Sequence, residues 1–181
     1  MTLQKHDPEA YRGVWVWVEE EGGRAHPVSW ELLGQARKMA QTLETPVSAV
    51  VMGSGVEALA GQAIAYGADT VYLADEAPLG PFRLEPYVAL LVKLVQEHRP
   101  EILLLGATTR GRDLAAAVAA ELGTGLAADC TGLEVDPGTR ILRATRPAFG
   151  GNVLSTVVIP RHRPQMASVR PRVFDCLLYT S

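Results

Sequence analysis

Apolar positions along this chain alternate between two periods. The run Val14-Trp15-Val16-Trp17-Val18 after Gly13 is β-branched and aromatic throughout and predicts a buried strand. Leu32, Ala36, Met39, Ala40 and Leu43 then recur at helical spacing, with Ser29 as the expected cap and Glu31 in the first turn. Val47-Ser48-Ala49-Val50-Val51-Met52 predicts a second strand. Beyond Gly53-Ser54-Gly55, the positions Val56, Leu59, Ala60, Ala63 and Ile64 predict a helix closed at Gly67. Thr70-Val71-Tyr72-Leu73 reads as a short third strand, and residues 87–98 as a helix apolar around most of its circumference, hence packed on two sides. Ile102-Leu103-Leu104-Leu105 predicts a fourth strand. A polar loop over 106–113 then leads to an alanine-rich helix over 114–122, ending at Gly123. Four strand–helix repeats predict an α/β fold: a Rossmann-like parallel sheet with helices on both faces.

From Gly125 onward the pattern changes. Strand-like pieces over 132–135, 141–145, 153–159 and 165–169 are separated by Pro137-Gly138, Gly150-Gly151 and Pro160, which predicts an antiparallel extension on one edge of the sheet. The expected organisation is an N-terminal extension (1–12), one α/β domain (13–174) and a stray or foreign tail, Asp175-Cys176-Leu177-Leu178-Tyr179-Thr180-Ser181 (175–181).

Composition narrows the class. With 48% apolar and 20% charged residues among 181, the chain can bury a continuous core, and wholesale disorder is excluded. No uncharged apolar run approaches the roughly 18 residues of a membrane span, so no span is expected. The N-terminus lacks the apolar stretch of a signal peptide, and a cytoplasmic protein is expected. Cys130 and Cys176 show no paired spacing, and His6, His26, His98 and His162 are scattered, so neither a disulfide framework nor a metal site is predicted.

The net charge of −3 hides an asymmetry. Residues 1–139 carry 10 basic and 19 acidic side chains; residues 140–172 carry seven arginines and no carboxylate. Arg140, Arg143, Arg146, Arg161, Arg163, Arg170 and Arg172 therefore ask for an anionic neighbour. It could be the acidic face of the same domain, a partner subunit or a phosphate-bearing cofactor. Nucleic acid is disfavoured, because the remainder of the chain would repel its phosphates.

Three loops offer candidate chemistry. Gly53-Ser54-Gly55-Val56-Glu57-Ala58 fits the relaxed dinucleotide fingerprint, with Asp75 and Glu76 about 20 residues on to hold a ribose. It follows the second predicted strand rather than the first, however, and glycines are common in tight strand–helix turns. Gly106-Ala107-Thr108-Thr109-Arg110-Gly111-Arg112-Asp113 offers amides, hydroxyls and two arginines, so Thr108, Arg110 and Arg112 are candidates for a phosphate cradle. Alternatively Asp113 caps the following helix and both arginines are solvated. In Ala144-Thr145-Arg146-Pro147-Ala148-Phe149-Gly150-Gly151-Asn152, an arginine, a proline and two glycines shape a polar surface loop, or simply a hairpin turn. No nucleophile elbow or acid–base constellation is present.

Several segments together resemble one family. They are Tyr11-Arg12-Gly13-Val14-Trp15-Val16, Pro27-Val28-Ser29-Trp30-Glu31-Leu32-Leu33-Gly34, Gly106 through Leu114, Thr124-Gly125-Leu126-Ala127-Ala128-Asp129-Cys130-Thr131, Thr145 through Asn152, and His162-Arg163-Pro164-Gln165-Met166-Ala167-Ser168-Val169-Arg170-Pro171. Over residues 11–174 the chain is similar to the N-terminal domain of electron-transfer flavoprotein alpha subunits, in the branch that includes FixB-like and flavin-bifurcating members. The resemblance implies a heterodimer with a beta subunit that carries electrons between flavin dehydrogenases and an acceptor: an electron carrier rather than a catalyst by itself. It implies FAD in the complete heterodimer, with this domain as scaffold and beta-subunit interface. The family's flavin-holding C-terminal domain would begin where this chain stops, so the chain alone is expected to retain none. Arg146, with Gly150, Gly151 and Asn152, becomes the expected neighbour of the beta subunit or its flavin. The reading that competes with this one is a free-standing nucleotide-binding domain using the Gly53 or Gly106 loop.

Overall fold

The structure, a computed structural model, describes residues 7–178. Residues 1–6 of the expected extension and 179–181 of the expected tail lie outside the described residues. The elements in chain order are β1 (Val14–Val18), a small ribbon of β2 (Glu20–Glu21) and β3 (Arg24–Ala25), α1 (Pro27–Leu43), β4 (Val47–Gly53), α2 (Glu57–Ala65), β5 (Thr70–Asp75), α3 (Leu84–His98), β6 (Ile102–Gly106), α4 (Thr109–Leu122), β7 (Leu126–Cys130), β8 (Gly132–Val135), β9 (Leu142–Ala148), β10 (Val153–Val157) and β11 (Gln165–Val169). Six strands form one sheet in the order β5-β4-β1-β6-β11-β7, and every pairing within it is parallel. β10-β9-β8 form a separate antiparallel sheet.

β1 explains why both faces are covered. Its side chains alternate across the sheet: Val14, Val16 and Val18 enter a core shared with α1 and α2, while Trp15 and Trp17 enter the opposite core beneath α3 and α4. The small antiparallel sheet joins the first core through Leu133, Leu142 and Ala144, and Gln35 of α1 donates to the Leu133 carbonyl at 2.9 Å. The predicted α/β class, its helices on both faces and its antiparallel extension are all present.

One predicted strand has moved. Residues 165–169, expected in the antiparallel extension, form β11 inside the parallel sheet, pairing from Gln165 opposite Ile102 to Val169 opposite Gly106. All five are buried, and a strand buried on both faces needs neighbours at both edges. α4 leads to β7 one position further out, and the slot between β6 and β7 receives β11. β7 itself gave no clear period in the sequence: Asp129 adopts φ 58°, where the register between β11 and β7 shifts.

Helix starts also differ from expectation. Helix α1 begins at Pro27 with His26 Nδ1 accepting from the Val28 amide at 3.2 Å. Ser29 instead accepts from the Glu19 amide at 3.0 Å, tying α1 to the end of β1. α3 starts three residues early, at Leu84. α4 starts at Thr109 with Thr108 as its cap, so most of the expected 106–113 loop is helix and Asp113 lies inside it. Val173 and Phe174 pack on the first core, and 175–178 run along α1, where the Asp175 carbonyl and Leu177 approach Gly34.

Candidate functional site: the carboxyl ends of the strands and the β9–β10 hairpin

Open parallel sheets bind ligands outside the carboxyl ends of their strands, and the Gly53 and Gly106 loops both lie at such ends. Here they are furnished with carboxylates. At the end of β5, Asp75 accepts from three amides at the start of α2: Gly55 at 2.6 Å, Val56 at 3.0 Å and Glu57 at 3.1 Å. These are the donors a pyrophosphate would need, and the helix dipole is already met by a negative charge. The Gly53 loop thus carries its own anion; Asp75 serves the helix end rather than a ribose. Replacing this exposed cap with alanine (Asp75→Ala) is expected to cost roughly 1 kcal/mol, measured by urea unfolding. Unchanged stability would mean that the carboxylate is not the working cap.

The Gly106 loop is similarly occupied. Thr108 Oγ1 accepts from the Gly111 amide at 3.0 Å and donates to the buried Glu19 carboxylate at 2.6 Å. Arg110 reaches over the same end: Nη1 donates to the Glu20 carbonyl at 2.9 Å, Nη2 lies 3.5 Å from the Glu21 carboxylate, and the guanidinium sits 5.4 Å above the Phe82 ring. Arg112 lies 3.5 Å from Asp129. The donors proposed for a phosphate cradle are therefore shared out to acidic and carbonyl groups of the chain itself. In both loops the groups a pyrophosphate would use are engaged within the chain.

Asp129 is the node that sequence reasoning missed. Its carboxylate accepts from Arg170 Nη2 at 2.7 Å and Nε at 3.2 Å, a forked pair joined by Arg112. The hydrogen bonds from Arg170 hold the Asp129 carboxyl below its usual range. No signal in the sequence joins this aspartate to Arg170, because only the pairing of β7 with β11 brings them together.

Three of the seven arginines of the strip find counterions inside the chain. Arg140, Arg143 and Arg170 pair with Glu101, Asp136 and Asp129, and Arg163 donates to the carbonyls of Ile159 and His162. The guanidinium groups of Arg146, Arg161 and Arg172 make no ion pair among the described residues. Arg146 is half-buried on β9, opposite Ser155. It lies near enough to Cys130 for its charge to oppose the burial that pushes that thiol up to about 11.

Arg146, Gly150, Gly151 and Asn152 lie together on the β9–β10 hairpin. Its tip needs glycine: Phe149, Gly150 and Gly151 take φ values of 50°, 69° and 91° in succession. Around it the hairpin exposes Phe149 at 83%, Leu154 at 68% and Val153 at 50%, with Val158 just beyond β10. Large exposed apolar side chains thus concentrate on this ribbon, with Val153 and Leu154 on its opposite faces. Among the described residues no helix is long and apolar enough to cross a membrane.

These features define a class: a parallel α/β domain whose strand-end loops are closed by its own carboxylates and which projects an apolar, arginine-bearing hairpin. The particular family follows from comparison. Residues 14–180 match the family described as "Electron transfer flavoprotein domain", and the chain belongs to that family. It is 51% identical over 178 residues to "Protein FixB" of Azorhizobium caulinodans, covering 95% of this chain and 48% of that protein. Over 167 residues it is 48% identical to "Electron transfer flavoprotein subunit alpha" of Clostridium acetobutylicum, covering 92% of this chain and 50% of that protein. Its identity to the protein of the same name from Megasphaera elsdenii is 43% over 168 residues. The chain spans about half the length of the curated relatives it matches.

Proposed function

We propose that this chain is the scaffold and interface domain of an electron-transfer flavoprotein alpha subunit, docking a beta subunit through the β9–β10 hairpin. The assembled heterodimer carries electrons between flavin dehydrogenases and an acceptor in the cytoplasm. FAD in that heterodimer supplies the redox chemistry and is held outside this chain's strand-end loops, whose amides and hydroxyls are already engaged by Asp75 and Glu19. The observation that carries the reading is the exposed hairpin: Phe149 at its tip, Leu154 on one face, and on the other face Val153 with Arg146, which has no ion-pair partner among the described residues. Such a surface combines the apolar anchor and the arginine that dominate protein interfaces. A partner or flavin group that Arg146 meets is expected to be anionic, since its guanidinium stays charged and forks to two oxygens.

The test is reconstitution. Purified chain mixed with an electron-transfer flavoprotein beta subunit is expected to elute as a 1:1 complex, and Phe149→Ser with Leu154→Ser to abolish it. Arg146→Ala is expected to weaken the complex roughly tenfold or to move the flavin potential, with an unchanged melting temperature. Absence of any complex with the unmodified chain would refute the interface reading. An Arg146→Ala variant with wild-type affinity and potential would remove Arg146 from the site.

A further inference from the structure

The opposite end of the sheet holds a second polar centre that the electron-transfer reading leaves unused. Three adjacent parallel strands, β1, β6 and β11, are each preceded there by a charged residue: Arg12, Glu101 and Arg163. The turn between β8 and β9 adds Arg140, whose backbone is held by the buried Gln165, donating to the Arg140 carbonyl at 3.0 Å and accepting from the Leu142 amide at 2.8 Å. A cleft of about 460 Å³ opens among these groups, with Asp7, Glu9 and Pro160 also in its wall.

Its charges do not balance at the bottom. Glu101 is 1% exposed, and both its oxygens are taken by Arg140, at 2.8 Å from Nε and 2.8 Å from Nη2. Arg163, only 4% exposed, is left with carbonyl oxygens on Nη1, while its buried Nε finds no acceptor among the described residues. The buried Arg163 guanidinium and the half-buried Arg140 thus have one buried carboxylate between them, and Arg140 holds both its oxygens. Burial already lowers the proton affinity of Arg163, and the positive charge of Arg140 adds to that, whereas Glu101 opposes it. Asp7 spends a carboxylate oxygen on the Glu9 amide at 3.1 Å, and Glu9 stands at the rim. A buried, unpaired charge is costly, and buried donors are seldom left without an acceptor.

We infer that this cleft is a binding site for a small phosphate-type oxyanion, received by Arg163 at the floor and Arg12 at the mouth. An oxyanion supplies the missing negative charge, and its paired oxygens match the guanidinium fork. The cleft volume falls within the range of small-molecule sites, so a phosphomonoester fits the space as well as free phosphate.

The experiment is a thermal melt and phosphorus NMR of the full 181-residue chain with inorganic phosphate or glycerol 3-phosphate, ionic strength being fixed with chloride. A saturable rise in melting temperature with broadening of the phosphorus signal is expected below about 10 mM. Whichever compound saturates first identifies free phosphate or the monoester as the preferred form. Arg12→Gln, at an exposed position, keeps the fold and is expected to weaken binding about tenfold. Arg163→Lys, which keeps the charge but loses the fork, is expected to abolish saturation. No rise above the chloride control overturns the proposal. So does a rise that survives both substitutions, which would be an adventitious ion only.

Discussion

Glu101→Gln is expected to cost about 3–5 kcal/mol of folding stability, read as a fall in the urea midpoint with an unchanged slope. The side chain keeps its shape, so no cavity contributes. What changes is that Arg140 and the buried Arg163 lose their shared counterion at the amino ends of β6 and β11. Arg140→Met is expected to cost less, because Glu101 then still faces the charge of Arg163. Equal losses for the two variants, or a Glu101→Gln protein as stable as its parent, would show that the cluster is not bound together by this carboxylate.

Gly111→Ala is expected to destabilise by about 1–3 kcal/mol or more, against the direction that helix propensity predicts. Gly111 lies in the first turn of α4, where alanine would ordinarily favour the helix by about 1 kcal/mol. Here an added Cβ would overlap the carbonyl oxygen of Gly106 at the end of β6 and press on Thr108 Oγ1. The backbone oxygen cannot rotate away, so α4 must lift from the strand and disturb the bond from Thr108 to Glu19. Thermal melts of Gly111→Ala and of Gly61→Ala, where an added Cβ meets nothing within 4 Å on α2, separate the two effects. Stabilisation by both substitutions would refute the close-approach account.

The candidate site was partly legible. Arg146, Gly150, Gly151 and Asn152 could be read as one shaped turn because they are contiguous, and the structure keeps them on one hairpin. Thr108, Arg110 and Arg112 were legible as donors, but what receives their hydrogen bonds was not. Glu19, Glu20 and Glu21 lie some 90 positions earlier, as the separations of 89 and 90 residues in these contacts record. Asp75 was legible as an acid at the right distance from a glycine loop; that it caps the helix depends on the pairing of β5 with β4. Glu101 drew no notice in the sequence, since nothing about a single glutamate after a proline announces burial.

Side-chain order alone sets the local periods: a two-sided buried β1, the alternation of strand and helix through α4, the change of character after Gly125, and an arginine strip in need of anions. These follow from side-chain spacing, which acts between near neighbours and leaves its mark in every window of the chain. Long-range packing places residues 165–169 in the parallel sheet, brings Arg170 to Asp129 and Arg140 to Glu101, and closes the strand-end loops on carboxylates. A buried strand states that both its edges must be paired, and a charge that it must be answered; neither names the partner. That choice belongs to the packing of segments far apart in the chain, where one free slot between β6 and β7 admits one strand.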